Sequence, residues 1–258
     1  MRIFFIIDET SFYHPHFLAK FIKHTQDSIV GAALVTRVPP KHNIEKYMIR
    51  HWYYLKPAEL IKLAVRKIIY KIMDIPGRSV NGKFYSVKSV LKYHNIDFFT
   101  VKDNINRKQY IDNIRGKKPD VIVSSNSLIF GDELLKLPPK GCINRHSAIL
   151  PANGGVWPVF QAYRKREAYT GVSIHTMERG IDKGIVLSYR KVEITQGVTI
   201  AKLYEKCFDL SADALVDALD KILEDNYSDV SPEKSASYYS FPTKKQWKQF
   251  RENGGRFV

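Results

Sequence analysis

Strand-length apolar runs alternate with helix-length patterns as far as residue 144, and this alternation narrows the fold more than any other feature of the chain. The runs fall at 2–7, 28–34, 97–101, 120–124 and 141–144, with helical patterns at 17–24, 85–94, 107–115 and 132–137 between them. A strand followed repeatedly by a crossover helix predicts an α/β fold, a Rossmann-like sheet that is mostly parallel. Such a sheet carries its site at the carboxyl ends of its strands.

Farther along, 156–167 reads as a helix, 170–177 and 184–192 as two β-rich runs, and 199–223 as a long amphipathic helix with Leu203, Cys207, Leu210, Leu215 and Leu219 on its apolar face. From Asp225 the composition turns Ser-, Pro- and Lys-rich. The expected organisation is a catalytic domain over 1–225 and a short C-terminal extension over 226–258, with a basic helical insertion at 41–75.

That insertion fits the sheet pattern least well. Pro57 opens a helix whose apolar face carries Leu60, Ile61, Ala64, Val65, Ile68 and Ile72, with Lys62, Arg66, Lys67, Tyr70 and Lys71 opposite. Packing of the apolar face on the chain's own sheet is the first expectation. A peripheral membrane contact through 57–73 is the second, since a basic amphipathic helix beside Trp52, Tyr53 and Tyr54 has the composition of an interfacial anchor. The segment interrupts the N-terminal half of the sheet pattern, so it is expected to serve an acceptor.

The charge excludes little but favours much. With 41 Lys and Arg against 26 Asp and Glu, the net charge of +15 suits anionic partners such as a nucleotide, a polyglutamylated cofactor, a nucleic acid or a phospholipid surface. No RNP, helix-turn-helix or zinc pattern supports nucleic acid, which is therefore disfavoured. A homodimer is compatible with the composition. Met1 to Ile7 reads as a first strand rather than a signal peptide, and the longest apolar run is far short of the ~20 residues of a membrane span, so the chain reads as cytoplasmic.

The first strand meets no G-x-G-x-x-G and the chain contains no G-x-x-x-x-G-K-[ST], which disfavours dinucleotide dehydrogenases and P-loop kinases. Cys142 and Cys207 show neither C-x-x-C pairing nor zinc spacing, so they are expected to be buried, inert thiols, and no metal is implied. Chemistry is carried instead by Asn144, His146 and Asp182. An amide, an imidazole and a carboxylate can move an acyl unit onto an amine without a covalent intermediate. Ser147 beside the histidine invites a hydrolase reading, but no G-x-S-x-G elbow exists. His175, in the middle of an expected strand, is given a structural role.

Four motifs occur in order: Pro138 to Pro151 around Asn144-Arg145-His146, Gly155-x-x-Pro158, Thr170 to His175, and Gly180-Ile181-Asp182-Lys183-Gly184. Together they resemble the folate-dependent formyltransferases, with 119–130 adding a weaker match. The resemblance implies the Rossmann-like formyltransferase fold and 10-formyltetrahydrofolate as one-carbon donor. It also implies Asn144, His146 and Asp182 as the catalytic set. It places the pterin against the loop of Asn126, Ser127, Leu128 and Ile129, with Glu178 to Asp182, including Ile181, as the other wall. Departures occur at Ser147 and Ala148, where relatives often carry Pro and Ser, and at Gly154, where they often carry Arg. The N-terminal third is the least family-like part.

Three acceptors suit such a family: a nucleotide-linked amino sugar, methionyl-tRNA and glycinamide ribonucleotide. Initiator-tRNA formyltransferases append a barrel domain, whereas 33 residues follow Asp225 here. Purine-pathway members lack the basic insertion and the aromatic tail. The expected acceptor is therefore an anionic nucleotide sugar. Methionyl-tRNA or glycinamide ribonucleotide formyltransferase activity is the alternative, and a non-catalytic basic module on a membrane or nucleic acid is the competing class.

Overall fold

The computed structural model describes residues 1–10, 12–36 and 54–258 of the chain. The basic segment at 41–53, with Trp52 and Tyr53, lies outside the described residues. The chain forms two compact units, one comprising Met1–Tyr53 with Ala64–Asn144, the other Tyr54–Leu63 with Arg145–Val258.

The first unit is built on parallel strands. Strand β1 (Arg2–Asp8) is flanked by β2 (Ser28–Val35) and β4 (Val121–Ser125), with β3 (Phe98–Val101) beyond β2. Ile3 to Ile7 and Val121 to Val123 are fully buried. A strand covered on both faces needs no polar alternation, which is why these segments read as near-continuous apolar runs. Gly31 lies opposite Phe4 in the register, where a Cβ would come within 3.0 Å of the Phe4 ring.

The helices of this unit are α1 (His14–His24), most of α2 (Pro57–Met73), α3 (Val87–Tyr93), α4 (Lys108–Gly116) and α5 (Asp132–Leu135). Strand β5 (Cys142–His146) pairs parallel to β4 with Ile122 opposite Cys142 and Ser124 opposite Asn144. From β1 the chain runs outward through β2 to β3, then returns to place β4 on the other side. The carboxyl ends of β1 and β4 thus flank a topological switch point. His14 ties these two ends, with Nδ1 2.8 Å from the Thr10 hydroxyl and Nε2 3.0 Å from the Ser125 carbonyl oxygen.

In the second unit, β7 (Tyr169–Thr176) and β8 (Val186–Glu193) form an antiparallel hairpin whose register shifts between Ile174 and His175. The long helix α7 (Ile200–Leu223) follows α6 (Pro158–Arg164), and the Thr199 hydroxyl caps its start by accepting the Lys202 N–H. Its buried face includes Leu203, Cys207, Leu215 and Leu219 of the expected stripe, while Leu210 is only half-buried. Among the described residues the strands of the first unit lie in the order β3-β2-β1-β4-β5, and β7 pairs with β8 in the second.

Two tail elements have no counterpart in the sequence expectations. Strand β9 (Tyr238–Tyr239) pairs with β6 (Gly154–Gly155), and α8 (Lys244–Glu252) opens with a reciprocal Thr243–Gln246 capping box. Trp247 and Phe250 of α8 pack against Phe160 as tilted ring pairs with centroids 4.9 and 4.6 Å apart. Each such aromatic pair contributes about 1 kcal/mol beyond its buried area. Arg251 donates to both oxygens of buried Glu59, which also accepts the Phe257 N–H at 2.6 Å. The second unit therefore holds the tail by burial and by charge.

Helix α2 departs from the first expectation for it. Its apolar stripe is exposed, with Ile61, Val65, Ile68 and Ile72 between 49% and 73% accessible. What turns inward is Arg66 and Tyr70, whose rings and guanidinium meet Phe12 and Tyr85. Among the described residues no helix is long and apolar enough to cross a membrane.

Candidate active site

His146 ends β5, where the chain leaves the sheet, and Asp182 sits in the loop joining β7 to β8. The fold brings His146 Nδ1 to 3.7 Å from Asp182 Oδ1. That separation is beyond a hydrogen bond but well within strong electrostatic coupling, because both side chains are about nine-tenths buried. The other carboxylate oxygen accepts the Gly155 N–H at 2.8 Å. His146 Nε2 stands 3.4 Å from the Asn153 carbonyl oxygen.

The loop needs its glycines. Asp182 itself has φ +53, a left-handed conformation that aspartate tolerates better than most residues. At Gly184 a Cβ would lie 1.7 Å from the Thr176 carbonyl oxygen, and at Gly155, with φ +88, one would lie 2.1 Å from that of Tyr239. Both glycines let backbone approach backbone where Asp182 is fixed.

Burial alone would raise the Asp182 carboxyl, but electrostatic coupling to His146, the approach of His175 to 3.6 Å and the Gly155 N–H outweigh it and hold the group well below the carboxylate range. Burial pushes His146 down. Asp182 opposes that shift, while nearby His175 and the Arg145 guanidinium add to it. The resting pair is thus an ionised carboxylate beside a neutral imidazole whose protonated form the carboxylate would stabilise.

Asn144 is half-buried on β5 opposite Ser124. Two residues before His146 on the same strand, it leaves the same face. Arg145, on the other face, donates to Ser147 at 3.0 Å and to Ser211 at 3.2 Å and lies 3.7 Å over the Phe208 ring. Ser147 is therefore engaged by Arg145, and its adjacency to His146 does not make a nucleophile–base pair.

The loop after β4 belongs to the first unit. Asn126 uses its whole amide to hold it: Nδ2 donates to the Ile6 carbonyl oxygen at 2.8 Å and to Ser124, and Oδ1 accepts the Leu128 N–H at 2.7 Å. Leu128 is buried, Ser127 exposed, and Ile129 65% accessible. Asn106, which the sequence did not single out, braces this loop by donating to the Ile129 carbonyl oxygen and accepting the Gly131 N–H. In the second unit, Glu178 is exposed and Ile181 half-exposed. Ile181 lines a cavity of about 540 Å³ together with Leu150, Asp182, Lys183, Ser237 and Tyr238.

Two further residues belong to this neighbourhood: His175, which the sequence gave a structural role, and Tyr238, which it did not single out. His175 Nε2 lies 3.6 Å from Asp182 Oδ1, while its Nδ1 faces the Thr176 carbonyl oxygen at 2.8 Å. The register shift at Ile174/His175 is the local signal, and it exists only once the strands pair. Tyr238 comes from β9. Burial raises its phenol, and the Asp182 charge adds to the shift.

Cys142 and Cys207 are buried free thiols, as expected, with burial pushing each to about 12. Among the described residues no group of three or more His, Cys, Asp or Glu is placed to hold a metal.

The family model described as formyl transferase matches residues 60–219. The methionyl-tRNA formyltransferase of Thermotoga maritima is 30% identical over 161 residues, 62% of this chain and 51% of that protein. That of Ehrlichia ruminantium is 31% identical over 187 residues, 71% and 61% of the two chains. The chain thus spans about half the length of the first of these relatives. Two solved structures share the fold. A phosphoribosylglycinamide formyltransferase from Anaplasma phagocytophilum superposes with a TM-score of 0.60 at 14% identity, over 92% of this chain and 97% of that one. A sugar N-formyltransferase from Shewanella sp FDAARGOS_354 gives 0.56 at 18%, over 93% and 77%.

Proposed function

We propose that this chain, which belongs to the formyl transferase family, transfers a formyl group from 10-formyltetrahydrofolate to an amine, with Asn144, His146 and Asp182 as its catalytic residues. The observation that carries this reading is the buried, ionised Asp182 coupled to a buried imidazole and steadied by a backbone N–H.

The residues around Asp182 fit a folate co-substrate. Half-exposed Ile181 offers an apolar wall, and the adjoining cavity falls within the ~300–1,000 Å³ typical of small-molecule sites. Glu178 and Ile181 would border the pterin in the second unit. The 126–129 loop, with Asn126, Ser127, Leu128 and Ile129, is assigned to folate on its motif.

When bound, the folate supplies the formyl carbon. The Asn144 amide donates to the oxygen that gains charge as the amine attacks, and the neutral His146 ring joins it as a donor only once it has taken up a proton. His146 takes the proton that the amine must lose and returns it to the departing folate nitrogen, so that amine and formyl-folate become formamide and free folate. Asp182 stabilises the imidazolium between those two events. No nucleophilic Ser or Cys is needed.

The acceptor we favour is a nucleotide-linked amino sugar, whose phosphates suit a chain of net charge +15. Methionyl-tRNA is the second reading, because the Thermotoga maritima and Ehrlichia ruminantium relatives bear that name. Incubation with 10-formyltetrahydrofolate and a panel of amino-sugar nucleotides, methionyl-tRNA and glycinamide ribonucleotide, read by product mass, separates them. Absence of any formylated product, together with no folate binding by calorimetry, would reject the function itself.

A further inference from the structure

We infer that helix α2 docks the protein on an anionic lipid surface. The helix is mounted inside out. Glu59 is its one buried residue among those described, and within the first unit Arg66 packs on Phe12 and Tyr70 on Tyr85. Arg66 donates to the Tyr70 hydroxyl at 3.2 Å, and its guanidinium lies 5.0 Å from the Phe12 ring centroid. Tyr70 in turn stacks edge-on against Tyr85 at 5.0 Å.

Opposite that face, Ile61, Val65, Ile68 and Ile72 are 64%, 49%, 59% and 73% accessible, and Ile75 continues the row at 45% just past the helix. Spacings of four, three, four and three residues keep these side chains in one narrow stripe along a helix ~25 Å long. A protein in water gains nothing by presenting such a row to solvent, and a stripe this regular marks a surface that something apolar covers.

Charge selects the cover. At roughly 100° per residue, Lys62 and Lys71 fall on the two flanks of the stripe. Lysines on either side of an aliphatic row reach up to lipid phosphates while the row enters the acyl boundary. A second copy of the chain would instead bring two lysine-flanked rows together, and like charges beside an apolar seam oppose pairing. The net charge of +15 points the same way.

The test is vesicle flotation of the whole chain, independent of catalysis. Vesicles of phosphatidylglycerol and phosphatidylcholine are compared with vesicles of phosphatidylcholine alone, in low and high salt. Two double variants are used, Ile68→Asp with Ile72→Asp, and Lys62→Glu with Lys71→Glu. All four side chains lie outside the folded contacts described above, and circular dichroism reports whether the fold is kept.

Wild type should float with the anionic vesicles and be released by salt, and each double variant should lose at least about tenfold in partitioning. No flotation, or flotation that is indifferent to lipid charge, overturns the proposal. So does light scattering that finds a dimer abolished by Ile68→Asp with Ile72→Asp in protein that ignores vesicles, which would give the stripe to a second copy.

Discussion

His175 Nε2 lies 3.6 Å from Asp182 Oδ1, the same oxygen that faces His146 at 3.7 Å. One carboxylate oxygen is therefore shared by two imidazoles. His175 acts on Asp182 and not on a reacting atom, which makes it a positioning residue in the proposed mechanism.

His175→Ala should lower kcat about tenfold or more and shift the acid limb of the pH–rate profile, because His146 would then answer to a less constrained carboxylate. A variant with unchanged pH profile and only a lower melting temperature would assign His175 to packing alone.

His146→Ala and Asp182→Ala should each reduce kcat by at least about a hundredfold, the scale of lost acid–base or electrostatic catalysis. Folate absorbance change gives the rate and circular dichroism the fold. Turnover near the wild-type value in either variant would remove that residue from the catalytic set.

Stability should respond to pH in opposite senses at two places. His146 and Asp182 are both held below their ordinary values, so their contribution is present at neutral pH and is lost as pH falls, first below about 6.5 through the histidine. Glu9, just after β1, is raised by burial from 4.5 to about 7; the N–H groups of Lys88 and Val87 oppose the shift, and nearby Asp74 adds to it. A raised acid favours folding only while protonated, fully below 4.5, and that contribution disappears as pH rises through about 7. Glu9→Gln should therefore stabilise the protein at pH 8 by on the order of 2 kcal/mol and change little at pH 4. Urea midpoints at the two pH values check this, and equal effects at both would refute it.

Gly184→Ala should destabilise the protein by about 3 kcal/mol or more, since its Cβ would fall on the Thr176 carbonyl oxygen. Activity should fall with it, because that loop carries Asp182. Gly82→Ala is the control. It has φ +72 but meets nothing within 4 Å, so it should cost only its backbone strain.

What the sequence disclosed follows from how each feature is encoded. Strands buried on both faces wrote themselves as apolar runs, and the 170–177 and 184–192 runs became β7 and β8 within two residues at each end. His146 and Asp182 were legible because loop residues at strand ends stand in short motifs. His175 was not, since its approach to Asp182 depends on a register shift that strand periodicity does not announce. Tyr238 comes within electrostatic range of the same carboxylate on a two-residue strand, too short to carry a pattern. The start of α8 was written in Thr243-x-x-Gln246 but lies in a tail whose composition reads as irregular. For α2, periodicity revealed two faces, yet only the rings around Arg66 decide which one turns inward.

The pairing of β6 with β9 also fixes a moment in the life of the chain. The Gly155 N–H that steadies Asp182 is one peptide away from the Val156 N–H, which donates to the Tyr239 carbonyl oxygen at 2.7 Å. Residues 145–225 can leave the ribosome with their hairpin and long helix complete and still lack the strand that seats this peptide. The peptide that seats Asp182 therefore gains its partner only after Tyr239 has been translated. A chain that stops before Tyr239 leaves the Val156 N–H without that partner, one peptide from the group that steadies Asp182.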